Sequence, residues 1–336
     1  MKRCSVLLLF LLLVVQTTTA RTVPLYGFNK PNQLVVDGDQ FFIADFPHVY
    51  IYSLEHFLMQ KKFGREGKRA REFFGGVIFL NIQPDQIVAL SGWKTIFYNR
   101  QGEFLKELRK DAVFPLGKNF IKVDPVREEK EKVNYWTINL NDAGLKKIKE
   151  IYRYPVFMQG KGPQAGAHVI NLLRQFGLFK TALDKFVLMD YKDFILHVYD
   201  SKGNKLTAIK RKYEKLKITE HDKKKYSDFF KNSEIYKEFY EKNKHRFKFD
   251  THFPAIKGFD FRGGLIYVYT YKEKGAGTEL FVFNVKGKLL KKTFLPMKHK
   301  NLLDPGPCSF CDWKFYRLIE KDKAGKEWQL NIIDIK

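Results

Sequence analysis

Several polar side chains stand where apolar segments of this chain end, and their types allow chemistry. Asp45 closes the segment 41–45, with His48 three residues later, and Asp190 closes the similar segment 186–190. Carboxylates and histidines are groups that hold metal ions or transfer protons. Weaker copies of the same segment end in Ser91, Asp124, Thr270 and Glu320.

A structural role competes with each of these assignments. Short polar side chains at strand ends commonly form hydrogen bonds with the backbone of the following turn. Asp45 and Asp190 hold the same place in two well-matched copies, which fits a repeated turn device at least as well as a paired acid site. The sequence therefore assigns no catalytic role to any of them.

No local motif in the sequence indicates a cofactor. It has no His-x-x-x-His pair, Asp-rich loop, glycine-rich phosphate loop, nucleophile elbow or HExxH box. We predict no metal site and no cofactor. A Ca²⁺ or Zn²⁺ site stays an open alternative, because single residues from distant segments could still converge on one metal ion.

Two cysteines remain in the body of the chain, Cys308 and Cys311. Asp312 follows Cys311, so the pair lacks the histidine of a haem-attachment motif, and two thiols cannot supply four zinc ligands. In an oxidising compartment a local disulfide between them is the plainest prediction, with free thiols as the alternative. A redox-active pair would need a strand-to-helix context, whereas Pro-Gly-Pro precedes this pair.

The elements that must position these residues form a repeat. Each unit reads as an apolar strand ending in a polar residue, then a second apolar strand ending in an Asx or Gly turn. Aromatic residues make up 16% of the chain, which suits pleated, half-buried strands. The six units lie at residues 41–52, 87–102, 120–144, 186–203, 265–287 and 316–335.

The turns of the repeat indicate antiparallel strands. In the turn 200–203 (Asp-Ser-Lys-Gly), Gly can take a positive φ and Asp can accept from nearby backbone N–H groups. A sheet of about four short strands per unit, repeated six times, is long enough to close into a ring. We predict an all-β fold, a six-bladed β-propeller of four-stranded antiparallel blades, as a single domain over residues 21–336.

A segment at about residues 219–246 interrupts the repeat between the fourth and fifth units. Thr219 and Asp222 resemble a helix-start box, and aromatic residues then recur at helical spacing. The sequence predicts a helical insertion that packs on the propeller as a lid, with a membrane-surface helix as the alternative. The aromatic positions are Tyr226, Phe229, Phe230, Tyr236, Phe239 and Tyr240.

The first twenty residues predict export. Lys2 and Arg3 precede an apolar run at residues 6–15, and Ala20 ends a stretch of small residues that suits signal peptidase. The run is shorter than the roughly twenty residues that span a bilayer. We predict a signal peptide at residues 1–20 that is cleaved after Ala20, no transmembrane anchor in the mature chain, and a periplasmic or extracellular location.

The chain is strongly basic, with a formal net charge of +24. This excess favours anionic partners such as acidic glycans or lipid headgroups, while a secreted protein seldom meets nucleic acid. The densest part, residues 205–248, has fifteen Lys and Arg against seven Asp and Glu. Because basic residues occur along the whole chain, solubility and protection of strand edges explain them at least as well.

One segment carries a family resemblance. Residues 63–67 (Phe-Gly-Arg-Glu-Gly), with Glu72 and Phe73, resemble the blade-linking Phe-Gly-x-x-Gly segment, ending in Glu-Phe, of secreted bacterial six-bladed β-propellers of the NHL type. Residues 68–71 (Lys-Arg-Ala-Arg) depart from that pattern, which usually has Gly and Pro there. The resemblance covers roughly residues 34–336.

The resemblance also implies a ligand face and a way to close the ring. In similar propellers the turn after the second strand of each blade lies on the face where ligands bind, which makes all seven polar residues ligand-face candidates. A strand at residues 22–27 is expected to complete the last blade beside residues 331–335. We predict a binding or scaffold protein for a protein, peptide or glycan partner. The alternative is a metal-dependent hydrolase or lyase of the cell envelope, with its site at the propeller axis.

Overall fold

In the computed structural model, six antiparallel sheets of four strands each form the blades of a β-propeller. The structure describes residues 20–109, 111–128, 133–155, 170–171, 179–190, 193–233, 236–297, 306–321 and 327–335. Blade one contains β2 (Gln33–Asp37), β3 (Gln40–Asp45), β4 (His48–Ser53) and β5 (Met59–Phe63), and blade two contains β6 (Phe79–Ile82), β7 (Gln86–Ser91), β8 (Lys94–Asn99) and β9 (Phe104–Arg109). Blade three contains β10 (Val113–Leu116), β11 (Asn119–Glu128), β12 (Val133–Asn141) and β13 (Lys147–Pro155), and blade four contains β15 (Phe179–Ala182), β16 (Lys185–Met189), β17 (Ile195–Asp200) and β18 (Lys205–Lys210). Blade five contains β20 (Gly258–Arg262), β21 (Leu265–Lys274), β22 (Gly277–Asn284) and β23 (Leu289–Leu295).

The sixth blade closes the ring with both ends of the chain. Its strands are β24 (Cys308–Cys311), β25 (Lys314–Glu320) and β26 (Glu327–Asp334), and β1 (Ala20–Tyr26) adds to β26 as the outermost strand. The register runs antiparallel from Ala20 opposite Ile333 to Tyr26 opposite Glu327. The predicted closing strand is therefore confirmed, and it begins within two residues of its expected start.

The second and third strands of each blade carry the repeat that the sequence shows. In blade one, Phe41, Phe42 and Ile43 are fully buried on both faces of the sheet, because neighbouring blades cover it on either side. Burial on both faces requires a continuous apolar run instead of alternation, which is why these strands stand out in the sequence. The predicted fold, an all-β six-bladed propeller of four-stranded blades, is confirmed.

The two faces of the ring differ because successive strands of a blade are antiparallel. One face carries the linkers between blades and the turns between second and third strands, and we call it the linker face. The other carries the turns between first and second strands and between third and fourth strands, and we call it the turn face. First strands lie innermost, since β24 contacts β2 and β20, and β15 contacts β10 and β20.

The predicted helical insertion lies between the fourth and fifth blades as two helices, α1 (Glu220–Asn232) and α2 (Lys237–Asn243), followed by a single 3₁₀ turn, Lys244–Arg246. The helix-start box is present: the Thr219 side chain accepts from the backbone N–H of Asp222, whose carboxylate accepts from the backbone N–H of Thr219. Two short strands beside it, β14 (Ile170–Asn171) and β19 (Phe247–Lys248), pair in parallel.

The aromatic face of the insertion points inward. Tyr226 and Phe230 of α1 are buried together with Phe253, and the Phe253 ring stacks on Tyr271 of blade five with centroids 4.5 Å apart. This packing matches the predicted lid, and we use that name for residues 211–257. In the described part of the chain, no helix is long and apolar enough to cross a membrane.

The segment that carries the family resemblance folds into a closed loop between blades one and two. Phe73 is fully buried, and its backbone N–H and C=O bond to Arg65 and Gly67. Gly64 has φ +100°, and a Cβ there would come within 2.6 Å of the ring of Phe73 and the carbonyl oxygen of Pro47. Glycine is thus required by both conformation and space.

Positive charge concentrates on the outermost strands. The six fourth strands, with β1 counted for blade six, carry twelve Lys and Arg but only Glu107 and Glu150 as acids. An outermost strand exposes unpaired backbone groups that could recruit another chain, and lysine is a common means of preventing this. Much of the basic excess therefore has a structural explanation.

Candidate functional site

The polar candidates on the second strands occupy equivalent positions in their blades. Asp45, Ser91, Asp124 and Thr270 each stand five residues after the first residue of the second strand of their blade. The other two lie at the same end of their blades: Asp190 directly follows β16, and Glu320 ends β25. The structure pairs Asp45 with His48 across one turn, and it places the remaining candidates on separate blades.

Asp45 fastens the linker that leads into its own blade. Its carboxylate oxygens accept from the backbone N–H groups of Asn29 and Lys30, each at 2.7 Å, and the side chain is almost fully buried. His48 serves the next linker, because its Nδ1 donates to the carbonyl oxygen of Gly64 at 2.9 Å. Both side chains therefore bond to backbone on the linker face.

Ser91 has the same function in blade two. Its hydroxyl donates to the carbonyl oxygen of Phe74 and accepts from the N–H of that residue, both at 2.8 Å. Phe74 belongs to the linker between blades one and two. A short side chain with a donor and an acceptor thus satisfies both backbone groups of one linker residue.

Asp124 and Thr270 reach their linkers through a second side chain. Lys122 Nζ lies 3.3 Å from Asp124 and 2.8 Å from Asp111, which precedes blade three. In blade five, the hydroxyl oxygen of Tyr213, a residue of the lid, lies 2.9 Å from Thr270 Oγ1. We call these four positions the linker clamps: Asp45, Ser91, Asp124 and Thr270.

The hydrogen bonds and ion pairs of the linker clamps limit their use in ligand binding. Their polar atoms already hold the path of the chain between blades, so binding a ligand through them would break internal bonds. Asp190 and Glu320 also have interaction partners. A role of the seven residues in ligand binding stays a prediction, and the contacts described here are structural.

The described residues contain no group of three or more His, Cys, Asp or Glu side chains that could hold a metal ion. The seven candidates are spread over all six blades, and Asp45 and His48 are the two that share a blade. Among the described residues, the geometry therefore gives no support to a metal centre built from them.

The cysteine prediction needs correction. Cys308 and Cys311 form no disulfide and lie on the same strand, β24. Side chains three residues apart on a strand point to opposite faces, and their Cα atoms are about 10 Å apart, beyond the reach of a disulfide. The predicted disulfide is wrong because these residues form the innermost strand of a blade instead of a loop.

We expect both thiols to remain reduced in the folded protein. Burial raises the pKa of the Cys311 thiol to about 12, and the neighbouring Asp312 carboxylate adds to the effect. Since the thiolate is the reactive form, Cys311 should resist alkylation by iodoacetamide at pH 8 until the protein is unfolded. Mass spectrometry of protein alkylated in denaturant, without reductant, should show two modified cysteines in the mature chain. An unmodified pair with a mass two hydrogens lower would contradict the structure.

A buried polar network that the sequence analysis missed anchors the lid. Glu279 of β22 is 1% exposed, and its carboxylate accepts from the Thr270 hydroxyl at 2.9 Å and pairs with Lys292 at 3.1 Å. Tyr213 Oη lies 2.9 Å from the same carboxylate. The one signal in the sequence was an acid directly before the apolar run of this strand, and a buried acid requires partners.

Exposed apolar side chains on the linker face of blade two were also missed. Trp93 is 74% exposed at the tip of the turn between β7 and β8, and Phe79 is 59% exposed at the start of β6. Val77 lies in the linker just before Phe79 and is 37% exposed. We call these three residues the aromatic patch. The nearby linker of blade one contacts this region, because Asn32 donates to the carbonyl oxygen of Ile78.

Polar side chains bridge the centre of the ring towards the turn face. Arg262 of blade five donates to the carbonyl oxygen of Ile82 in the opposite blade two, at 3.1 Å. Asp37 of blade one accepts from Arg100 at 3.0 Å and lies 3.6 Å from Arg262. These bridges join blades one, two and five near the turn face.

The fold and these contacts define a class of protein, the six-bladed β-propellers. No protein-family model matches the chain, and no curated protein matches it in sequence. Solved structures do match. One is a protein from Bacteroides fragilis described as exported, with 10% identity over 94% of this chain and 95% of that chain, at a TM-score of 0.53.

A second solved structure comes from the same genus. It is a member of the DUF4221 family from Bacteroides vulgatus, with 11% identity over 95% of this chain and 97% of that chain, at a TM-score of 0.50. Likeness at this level of identity supports the propeller fold. Membership of the NHL type stays a prediction.

Proposed function

We propose that this protein is an exported binding or scaffold protein whose linker face holds a protein, peptide or anionic glycan partner. The observation that carries the proposal is the contrast on that face. The linker clamps use polar groups internally, whereas the aromatic patch presents Trp93 and Phe79 to solvent. Exposed aromatic side chains are typical anchors of binding surfaces.

The same contrast weighs against the alternative of a metal-dependent hydrolase or lyase. Such an enzyme needs several acids and a histidine with free oxygen or nitrogen atoms around one point. Asp45 and His48 instead bond to the backbone of two different linkers. The aromatic residues of the insertion face inward, which favours its interpretation as a lid and not as a helix that lies on a membrane surface.

Export is part of the proposal and is supported by the N-terminal sequence. Cleavage after Ala20 would start the mature chain at Arg21, so β1 would lose a single residue and could still close the ring. The likeness to a protein described as exported is in keeping with this location.

The aromatic patch gives a direct test of the proposed binding face. The mature chain would be screened against immobilised acidic and neutral glycans and against envelope protein fractions, and each positive ligand would be titrated. We expect the double variant W93A/F79A to bind about tenfold or more weakly, because aromatic anchors contribute about 1–3 kcal/mol each.

The turn face offers a matched control. Leu58 and Met59 are similarly exposed, at 66% and 54%, in and after the turn between β4 and β5. The variant L58A/M59A should change affinity less than twofold. If both double variants bind like the natural chain, the aromatic patch is not the binding face.

A further inference from the structure

One lysine lies at the seam between the lid and blade five. Lys257 is the last residue of the lid before β20, and its backbone N–H donates to the carbonyl oxygen of Tyr269 at 2.9 Å. Its side chain is half-buried, with Nζ 5.4 Å from the centre of the Tyr271 ring. The same ring stacks on Phe253 of the lid, so Lys257 sits where the lid meets the propeller.

The groups around Lys257 offer little negative charge to balance its ammonium group. Burial lowers the pKa of Lys257 to about 8, Glu273 of β21 acts in the opposite direction, and Lys225 of α1 lowers it further. Within the described residues, no carboxylate lies within 4.0 Å of its Nζ. Tyr226 of α1 also packs at this seam, and burial raises the pKa of its phenol, so it carries no negative charge near neutral pH.

Other lysines of the lid contrast with it. Lys223 lies 2.6 Å from Glu220, and Lys244 lies 2.7 Å from Glu241, both at the helix surface. The exposed Lys244 and the partly exposed Lys223 each have an acid beside them, whereas the half-buried Lys257 has an aromatic ring and a second lysine nearby. Burying a cation without a counter-ion is costly, so an incoming anion would recover free energy at this position.

We propose that Lys257, together with Lys225, binds an oxyanion group of the ligand, a carboxylate or sulfate as carried by an acidic glycan. The proposal rests on the proposed binding function and assigns the anionic end of the ligand to the seam of the lid. An anion there would join Lys225 of α1 to Lys257, whose backbone N–H is bonded to blade five, so it would also hold the lid against the propeller. The Tyr271 ring, on which Phe253 stacks, faces the Lys257 ammonium and helps to hold it at the seam.

The test uses the mature chain labelled with ¹³C at the lysine ε-carbon. The Lys257 signal is identified by its absence in Lys257→Met, and its pKa is followed by NMR with and without sodium sulfate or a sulfated disaccharide. We expect Lys257 to titrate about two pH units below the other lysines without anion, and to move up by about one unit when the anion is bound.

Affinity provides the second readout. Lys257→Met should weaken binding of the sulfated disaccharide about tenfold, and Lys257→Arg should restore most of it because the charge remains. Lys231→Met removes an exposed lysine of α1 and should change affinity less than twofold. Thermal unfolding of each variant checks that the fold is retained.

The outcomes separate this proposal from the proposed function. If the disaccharide binds but the Lys257 signal does not move, or if both Met variants weaken binding equally, the seam is not the oxyanion site while the binding function stands. If sulfate moves the Lys257 signal but no glycan, peptide or protein binds, the site exists and the proposed function is wrong. A Lys257 signal that titrates with the other lysines overturns the proposal.

Discussion

A chain that lacks residues 21–26 is expected to lose cooperative folding. This deletion removes β1, whose seven residues pair with β26, and with it the buried side chain of Leu25, which packs in the same core as Trp328. The loss of Leu25 alone should cost about 2–5 kcal/mol, and each lost backbone hydrogen bond adds about 1 kcal/mol. Since the whole free energy of unfolding of a domain is about 5–15 kcal/mol, the deletion should leave little folded protein.

Denaturant unfolding, followed by tryptophan fluorescence, measures the effect. Leu25→Ala keeps the strand and should lower the free energy of unfolding by about 2–5 kcal/mol, which gives a graded result even if the deletion cannot be purified. Thr22→Ala removes one exposed hydrogen bond to Asn331 and should cost less than about 1 kcal/mol. An unchanged unfolding midpoint for the deletion would mean that the ring does not depend on its closing strand.

Substitution of Asp45 by alanine should destabilise the fold by about 2–5 kcal/mol. The buried carboxylate accepts two short hydrogen bonds from the backbone of Asn29 and Lys30. Alanine leaves both N–H groups without their partner, and hydrogen bonds to a charged group are among the stronger ones in proteins. The measurement is again the free energy of unfolding in denaturant.

Two further variants distinguish the loss of the Asp45 hydrogen bonds from a general effect of removing a negative charge. Asp45→Asn keeps one acceptor oxygen and should lose about half as much stability as Asp45→Ala. Asp85→Ala removes an exposed carboxylate on the turn face and should change stability by no more than about 0.5 kcal/mol. If Asp45→Ala were as stable as Asp85→Ala, Asp45 would not be a clamp, and a role in ligand binding would become the better explanation.

The sequence predicted the two central strands of each blade well and the flanking strands poorly. Central strands such as β3 and β4 are buried on both faces, so their residues are apolar without interruption. Innermost strands are short and mixed in composition, and outermost strands such as β5 (Met-Gln-Lys-Lys-Phe) have a largely exposed face. The cysteines were misjudged for this reason, since β24 has only four residues and is followed by a tight turn.

The insertion was predicted in outline because helix signals are local. A capping box and aromatic residues at helical spacing act within a few residues, so Thr219 and Tyr226 sufficed to place α1. The expected single run of helix is divided into α1 and α2. The aromatic face packs towards Tyr271, which is distant along the chain. No local sequence pattern indicates such a contact.

By itself the sequence determined the repeat and the number of blades, because burial between neighbouring blades forces the same apolar pattern six times. The strand that closes the ring was expected from the family resemblance. Tertiary structure decided the use of each polar side chain. Asp45 and Ser91 look like candidates for chemistry in the sequence, yet each bonds to a linker that the fold brings beside it. Lys257 resembles any other lysine in a basic chain, and it differs only because the lid and blade five bury it together without a carboxylate within 4.0 Å among the described residues.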